Sequence, residues 1–217
     1  YVNNEVGAVQ DIATIAKAVK EKKADILLHV DAIQAFGKYR IYPKREGIDL
    51  MSVSGHKIHG PKGSGALFVR DKVKVKPLLY GGGQQRDMRS GTENVPAIAG
   101  LGAATEWMYR NFENNLAHLK ECKVALIQRM LQLEGVSVNA VFNEEENAYI
   151  KGQTARMISD GVSAGDIEVI RAAVERTAPH VLSVSFDGVR SEVLLHALED
   201  LIIACLYRKC TAYTGGA

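Results

Sequence analysis

The segment at residues 48–70, IDLMSVSGHKIHGPKGSGALFVR, decides the fold. It begins and ends with a short apolar run of the kind that is buried in a sheet. Between the two runs lie glycines and a proline, which favour a tight turn. The segment therefore predicts two strands joined through a turn, with Lys57 at the end of the first strand.

The chain before and after this segment predicts an α/β fold. Asp11 is a good N-cap for the apolar residues that follow it at helical spacing, and the run DILLHVDA at 25–32 is typical of a buried strand. Helical patterns dominate from Val95, and an amphipathic helix is expected at 113–133. This order of elements favours a mixed, mostly parallel sheet flanked by helices.

We expect two domains. Residues 1–93 would form part of a large domain, and residues 94–217 would hold long connecting helices and a small α/β domain. A polar stretch at 143–177, in which we expect one helix at 165–176, interrupts the strand-rich pattern of the second domain.

The composition is that of an ordinary globular protein. Apolar residues make up 47% of the chain, charged residues 24%, and the formal net charge is +2. This balance gives no reason to expect nucleic acid or an anionic membrane as the main partner. No apolar run approaches the roughly 20 residues that span a bilayer, and no secretory signal is visible. The three cysteines lack zinc-type spacing, so we expect no metal site and a reducing, cytoplasmic location.

Lys57 is the first candidate for chemistry. A lysine in a partly dry pocket loses some of its preference for the charged form, and a neutral amine can attack a carbonyl carbon. Gly55 and Gly60 would let the backbone come close to a bound group, while Ser54 and His56 could bind a phosphate. The alternative interpretation is a solvated loop lysine, since four residues are a weak signal by themselves.

Asp31 and Gln34 form a second candidate pair. Asp31 is expected at the carboxyl end of a parallel strand, where open α/β sheets bind their ligands. A carboxylate there could keep a pyridinium nitrogen protonated, and Gln34 could donate to a phenolic oxygen on the same ring. Taken alone, Asp31 is expected to be a helix cap or a turn residue rather than a ligand.

Two further stretches offer polar contacts. The glycine-rich stretch at 81–96 carries Arg86, Arg89 and Thr92 just before a helix whose N-terminus favours a phosphate. Asn4, near the start of the chain, could bind a ring substituent or a substrate. Their alternative interpretations are a flexible surface loop and an ordinary turn.

In this order and with these gaps, four stretches resemble the pyridoxal-phosphate-dependent cysteine desulfurases of the class V aminotransferase superfamily. The resemblance is dense over residues 1–140 and returns at 178–200. It implies a fold-type I pyridoxal-phosphate transferase-like large domain. The four stretches are VNNEVGAVQDI, HVDAIQAFGK, DLMSVSGHKIHGPKGSGALFVR and GGGQQRDMRSGTENVPAIAGLGAA.

The resemblance implies a role for each matching residue. Lys57 would bond to the aldehyde of the cofactor and move protons. Asp31 would pair with the ring nitrogen and Gln34 with the ring oxygen. Ser54 and His56 would hold the phosphate.

The resemblance also implies a reaction and partners. Thr92 would reach the phosphate of a second subunit's cofactor, so a homodimer is expected, and Asn4 would lie at the cofactor and substrate. L-cysteine would be the substrate, with alanine and a protein persulfide as products. The sulfur would pass to an acceptor or scaffold protein of iron–sulfur cluster assembly or tRNA thiolation.

The chain departs from the family pattern at both ends. The family's upstream phosphate loop and ring-stacking histidine have no counterpart here, so we expect an N-terminal truncation. After Asp200 the expected Ser-Ala-Cys loop is replaced by LIIACLYRKCTAYTGGA. Cys210 falls nearest to the nucleophile's position, and the adjacent Arg208 and Lys209 would favour a thiolate.

Three functions therefore stay open. The first is a cysteine desulfurase, with Lys57 and Cys210 as catalytic residues. The second is a related class V lyase or aminotransferase, such as a selenocysteine lyase. The third is a catalytically incompetent remnant that dimerises or binds a partner.

Overall fold

The computed structural model describes residues 1–201, which separate into two compact units. The first unit contains Tyr1–Val2 and Gln10–Asn115, and the second contains Asn3–Val9 together with the chain from Leu116 onward. Among residues 1–201, no helix combines the length and apolar character that crossing a bilayer requires.

The first unit is a three-stranded sheet with helices. Its elements, in chain order, are α1 (Ile12–Lys22), β1 (His29–Asp31), β2 (Leu50–Ser54), a 3₁₀ turn (Gly55–Lys57), β3 (Gly65–Val69) and α2 (Val95–Arg110). Asp11 caps α1 by accepting a hydrogen bond from the amide of Thr14, as the sequence predicts. Strand β1 is shorter than the predicted 25–32, and the side chains of Ile26 and Leu27 before it are exposed.

The sheet of the first unit is mixed. Strands β1 and β2 are parallel, with Asp31 beside Ser52, and β2 and β3 are antiparallel, with Ser54 opposite Gly65. The parallel pair brings the carboxyl ends of β1 and β2 to one edge of the sheet. A buried apolar cluster fixes this arrangement, and its members are Ile12, Val30, Ala32, Ala35, Ile48 and Met51.

Up to Leu201, where the described chain ends, the second unit combines four helices with a two-stranded sheet. Its elements are α3 (Phe112–Met130), which belongs to this unit from Leu116 onward, β4 (Val136–Asn139), α4 (Glu144–Asp160), α5 (Ala164–Glu175), β5 (Ser183–Phe186) and α6 (Ser191–Leu201). Strands β4 and β5 are antiparallel, with Val136 opposite Phe186. The segment Asn3–Val9 joins this unit through a hydrogen bond from the amide of Ala178 to the carbonyl of Gly7, 2.9 Å long.

The sequence predicts one helix in residues 143–177, at 165–176, and α5 agrees with that prediction. Helix α4 was not predicted. Both helices begin with a capping box, formed by Asn143 with Glu146 in α4 and by Ser163 with Asp166 in α5. The core of the unit includes residues of both helices, and its buried members are Val124, Ile127, Leu131, Val141, Phe142, Ile150, Met157, Ile170, Ala173 and Val174. The polar stretch is therefore a helical hairpin that contributes to this core.

A buried carboxylate ties α4 to α5. Asp166 is fully buried and accepts hydrogen bonds from the Arg156 guanidinium, from the Tyr149 hydroxyl at 2.8 Å and from the Ser163 hydroxyl at 2.7 Å. Burial by itself would raise the pKa of Asp166, but these donors outweigh burial and hold the pKa well below its ordinary value. The carboxylate is therefore charged and paired in the folded chain.

The compact units divide between Asn115 and Leu116, later in the chain than the predicted boundary at residue 93. Helix α2 packs within the first unit because its aromatic residue Tyr109 contacts the ring of Phe36 at 5.6 Å and stacks on Phe112 at 5.7 Å. The division into domains at 1–93 and 94–217 stays a prediction.

Candidate active site

The lysine turn follows directly from the glycines of its sequence. Gly55 is buried, and a Cβ added to it would lie 2.4 Å from the Ser64 hydroxyl and 3.2 Å from the Pro61 carbonyl oxygen, so a larger residue would displace its neighbours. The carbonyl of Gly55 accepts hydrogen bonds from the amides of Ile58 at 3.0 Å and Gly60 at 2.9 Å. These bonds stop strand β2 and leave Lys57 half-buried at its end.

Helix α2 packs closely against this turn. A Cβ at Gly100 would lie 2.6 Å from the ring of Pro61, and the side chain of Leu101 is 3.3 Å from the position of a Cβ on Gly55. The helix and the turn can therefore approach closely because one position on each side of the two contacts, Gly100 on the helix and Gly55 in the turn, is glycine.

Ser54 and His56 form a hydrogen-bonded pair immediately before Lys57. The Ser54 hydroxyl and the His56 Nδ1 are 2.6 Å apart, and both side chains are half-buried. Within this pair one group donates to the other, so the donor left for a phosphate oxygen is either the Ser54 hydroxyl or the His56 Nε2–H.

Asp31 ends strand β1 at the same edge of the sheet. The amide of Ala32 donates to the carbonyl of Ser52 at 3.0 Å, which extends the pairing with β2 by one residue. The Asp31 Oδ1 accepts the amide of Ile33 at 2.8 Å, so this residue also has the local turn contact considered from the sequence. Its side chain is exposed, whereas Gln34 in the following turn is 9% exposed.

The glycine-rich loop before α2 has a strained backbone. Gln85, Arg86 and Asp87 all have positive φ, between 52° and 62°. Thr92 is exposed, and Asn94 caps the helix by accepting the amide of Ala97 at 3.2 Å.

Five of the predicted site residues end or follow the adjacent parallel strands of the first unit: Asp31 and Gln34 at the end of β1, and Ser54, His56 and Lys57 at the end of β2. Thr92 also belongs to this unit, on the exposed loop. Asn4 lies in an exposed turn of the second unit, so its contact with a cofactor stays a prediction. Cys210, the predicted nucleophile, lies outside the described residues.

Sequence reasoning missed one residue at this edge, Lys38. Its ammonium donates a hydrogen bond to the backbone carbonyl of Lys57 at 2.6 Å, and its side chain is 8% exposed. A buried lysine is uncommon, but nothing in the local pattern AFGKYR distinguishes it from a surface lysine.

The residues at this edge fit a phosphate-bearing pyridine aldehyde such as pyridoxal phosphate. An amine, a hydroxyl–imidazole pair, a carboxylate and an amide are the groups that its aldehyde, phosphate and ring would need. All of them lie at or just after the carboxyl ends of two adjacent parallel strands, where ligands of α/β sheets bind. Within residues 1–201, no group of three or more His, Cys, Asp or Glu residues could hold a metal ion.

The sequence profile of the aminotransferase class-V family matches residues 1–159. The chain belongs to this family. The class-V resemblance inferred from the four stretches is thereby confirmed.

Relatives within the class-V family include cysteine desulfurases. The cysteine desulfurase IscS of Methanosarcina thermophila is 45% identical over 139 residues, which cover 64% of this chain and 34% of that protein. The mitochondrial cysteine desulfurase of Saccharomyces cerevisiae is 36% identical over 205 residues, covering 94% of this chain and 34% of that protein. The chain therefore spans about a third of the length of these two relatives.

A solved structure gives the same picture for the fold. A NifS-like protein superposes with a TM-score of 0.69 at 31% sequence identity, covering 92% of this chain and 46% of that protein. The predicted α/β fold of the fold-type I class is confirmed, and in this chain its three-stranded sheet carries the candidate site.

Proposed function

We propose that this class-V chain is the lysine-bearing part of a pyridoxal-phosphate-dependent cysteine desulfurase. The reaction would remove sulfur from L-cysteine, leaving alanine and a protein persulfide. One observation carries the proposal. Lys57 stands on a tight turn directly after the Ser54–His56 pair, at the sheet edge where Asp31 and Gln34 follow the parallel neighbouring strand.

Pyridoxal phosphate would supply an aldehyde to which amines bond and a ring that withdraws electrons from the substrate. Lys57 would provide the amine that holds the cofactor covalently, and once released it would move a proton at the substrate Cα. Asp31 would keep a proton on the ring nitrogen, and Gln34 would donate to the ring oxygen. Ser54 and His56 would hold the phosphate.

Other parts of the proposal rest on family resemblance. Thr92 would reach the phosphate in a second copy of the chain, giving a homodimer, and Asn4 would contact the cofactor and substrate. Cys210, beside two cationic residues in the sequence, would be the thiolate that takes the sulfur. We also infer a cytoplasmic location and an acceptor or scaffold protein of iron–sulfur cluster assembly or thiolation.

The first test is covalent binding of the cofactor. Purified chain is incubated with pyridoxal phosphate, reduced with borohydride and digested, and the modified peptide is identified by mass spectrometry. We expect a modified Lys57 and the matching visible absorption band, both of which Lys57→Ala removes. Lys62→Ala, five residues further on and exposed, is the matched control and should leave both unchanged.

The second test is turnover with L-cysteine. Release of alanine together with sulfide in the presence of a reductant supports the desulfurase, and it should be lost in Lys57→Ala. Cofactor attached to Lys57 without any alanine would instead indicate a binding-competent remnant. Modification spread over surface lysines, with no preference for Lys57, would refute the proposed site.

A further inference from the structure

Lys38 donates a hydrogen bond to the backbone of Lys57, the candidate cofactor lysine. We propose that Lys38 is a positioning residue. Its buried ammonium holds the backbone of Lys57 in place, so that the side chain carrying the Lys57 amine extends from a fixed backbone position. This inference builds on the function proposed above, but one of its tests does not require the cofactor.

The hydrogen bond from Lys38 satisfies a carbonyl at the point where the strand ends. The preceding turn uses the carbonyl of Gly55 as acceptor for the amides of Ile58 and Gly60. The carbonyl of Lys57 instead accepts the Lys38 ammonium at 2.6 Å. Because Lys38 is 8% exposed, water does not easily replace this charged donor.

The segment that carries Lys38 is itself held firmly. It forms a helical turn in which the amide of Phe36 donates to the carbonyl of Ala32 at 2.8 Å and the amide of Tyr39 donates to that of Ala35 at 3.0 Å. Ala32 and Ala35 are fully buried in the core of the unit. The position of Lys38 is therefore set by the core.

Gly37 lets this turn approach the lysine turn. Its φ is +78°, and a Cβ added there would lie 3.0 Å from the Ile58 side chain and 3.1 Å from that of Met108. Any other residue would be strained by its backbone and crowded against Ile58, the neighbour of Lys57. The close approach thus places Lys38 within reach of the Lys57 carbonyl.

One short turn consequently links the two halves of the proposed site. It begins directly after Asp31, contains Gln34 and ends at Lys38, whose ammonium donates a hydrogen bond to the backbone carbonyl of Lys57. The Lys57 amine must bond to the cofactor, leave it and return, so only its backbone can stay fixed throughout. We infer that Lys38 keeps that backbone in register with the ring-contacting residues.

The cofactor-independent test is amide hydrogen exchange in the free chain. In Lys38→Met, exchange in a peptide covering residues 55–60 should accelerate about tenfold or more, because the amides of Ile58 and Gly60 belong to the loosened turn. Lys38→Arg keeps a charged donor and should restore exchange to within about threefold of the parent chain. Peptides from α1 should exchange at the parent rate in both variants.

The second readout is the rate at which pyridoxal phosphate becomes attached to Lys57, measured by borohydride trapping. We expect a fall of about tenfold in Lys38→Met, with recovery in Lys38→Arg and no change in the control Lys62→Met. If Lys38→Met does not fold, Lys38→Gln, which keeps a neutral donor, takes its place with the same expectations at smaller amplitude.

The outcomes separate this inference from the proposed function. Parent-like exchange at 55–60 in Lys38→Met, or equal acceleration in α1, would overturn the positioning role. Accelerated amide exchange confined to residues 55–60, together with an unchanged rate of pyridoxal phosphate attachment to Lys57, would overturn the positioning role as well. If the parent chain attaches no cofactor to Lys57, the proposed function fails, and hydrogen exchange alone then decides whether Lys38 holds the turn.

Discussion

Lys123, on helix α3, is a buried lysine whose titration should be visible in the stability of the second unit. It is 4% exposed and donates to the Thr177 hydroxyl at 2.7 Å and to the carbonyl of Ala178 at 2.8 Å. Both acceptors are neutral oxygens. Burial therefore lowers the pKa of Lys123 from its ordinary value of 10.5 to about 8.

The direction of the pH dependence follows from this lowered pKa. Below about pH 8 the lysine is protonated in both the folded and the unfolded chain, so the folded state bears the whole cost of burying the charge. Between pH 8 and 10.5 the unfolded chain binds more protons than the folded chain, and the free energy of unfolding rises with pH. From about pH 7 to about pH 9.5 the gain is roughly 2 kcal/mol.

Urea unfolding followed by circular dichroism measures this gain. The parent chain and Lys123→Met are compared at about pH 7, 8 and 9.5 in the presence of a reductant. Taking the difference between the two chains removes the contribution of every other titrating group that the substitution leaves unchanged. We expect the stability of the parent chain to rise by about 2 kcal/mol relative to Lys123→Met.

Lys151→Met, which removes an exposed lysine of the same unit, is the matched control and should follow the parent curve. If Lys123→Met follows the parent curve too, then Lys123 does not titrate in this window. Burial would then not lower the pKa of Lys123 in the folded chain.

Two other predictions follow from buried contacts. Asp166→Asn should lower the free energy of unfolding by roughly 2–4 kcal/mol at neutral pH, because it leaves the Arg156 charge without its carboxylate. Since folding lowers the pKa of Asp166, the parent chain should lose this advantage as the pH falls below about 4. Urea unfolding curves of the two chains should therefore converge in acid, and a gap that stays constant with pH would contradict the ion pair. Gly55→Ala should displace the lysine turn, which lowers the free energy of unfolding by about 1–3 kcal/mol and slows the attachment of the cofactor to Lys57. The control is Gly102→Ala, where a Cβ meets nothing within 4 Å and should stabilise α2 slightly. Equal shifts of the two variants in thermal unfolding would show that crowding at Gly55 is unimportant.

The sequence predicts those elements whose signals are local. Asp11 predicts the start of α1 because a capping side chain acts within one turn. The apolar runs around Lys57 predict β2 and β3, and the glycines between them predict the turn. The sheet edge at which β1 and β2 end, with Asp31 and Ser54 as their last residues, is also predictable, because parallel strands present their carboxyl ends together.

Other features depend on contacts between distant residues and leave no local pattern. Helix α4 has only Ile150 and Met157 fully buried along its length, so its apolar periodicity is too sparse to predict a helix within a polar stretch. The role of Lys38 requires a contact with a residue 19 positions away. Gly37, which permits that contact, looks in sequence like any other turn glycine.

The helical hairpin of α4 and α5 shows why a long connection can be accommodated between two paired strands. Strands β4 and β5 keep their antiparallel pairing although residues 140–182 separate them. The entropic cost of closing a connection grows only slowly with its length, so a long connection adds little cost to the pairing of β4 and β5. The hairpin therefore has to offset mainly the cost of its own folding. Its two capping boxes and the buried Asp166 satisfy its own polar groups, while Ile150, Met157 and Ile170 add apolar surface to the core. A connection that supplies both its caps and its share of the core can leave the strand register unchanged.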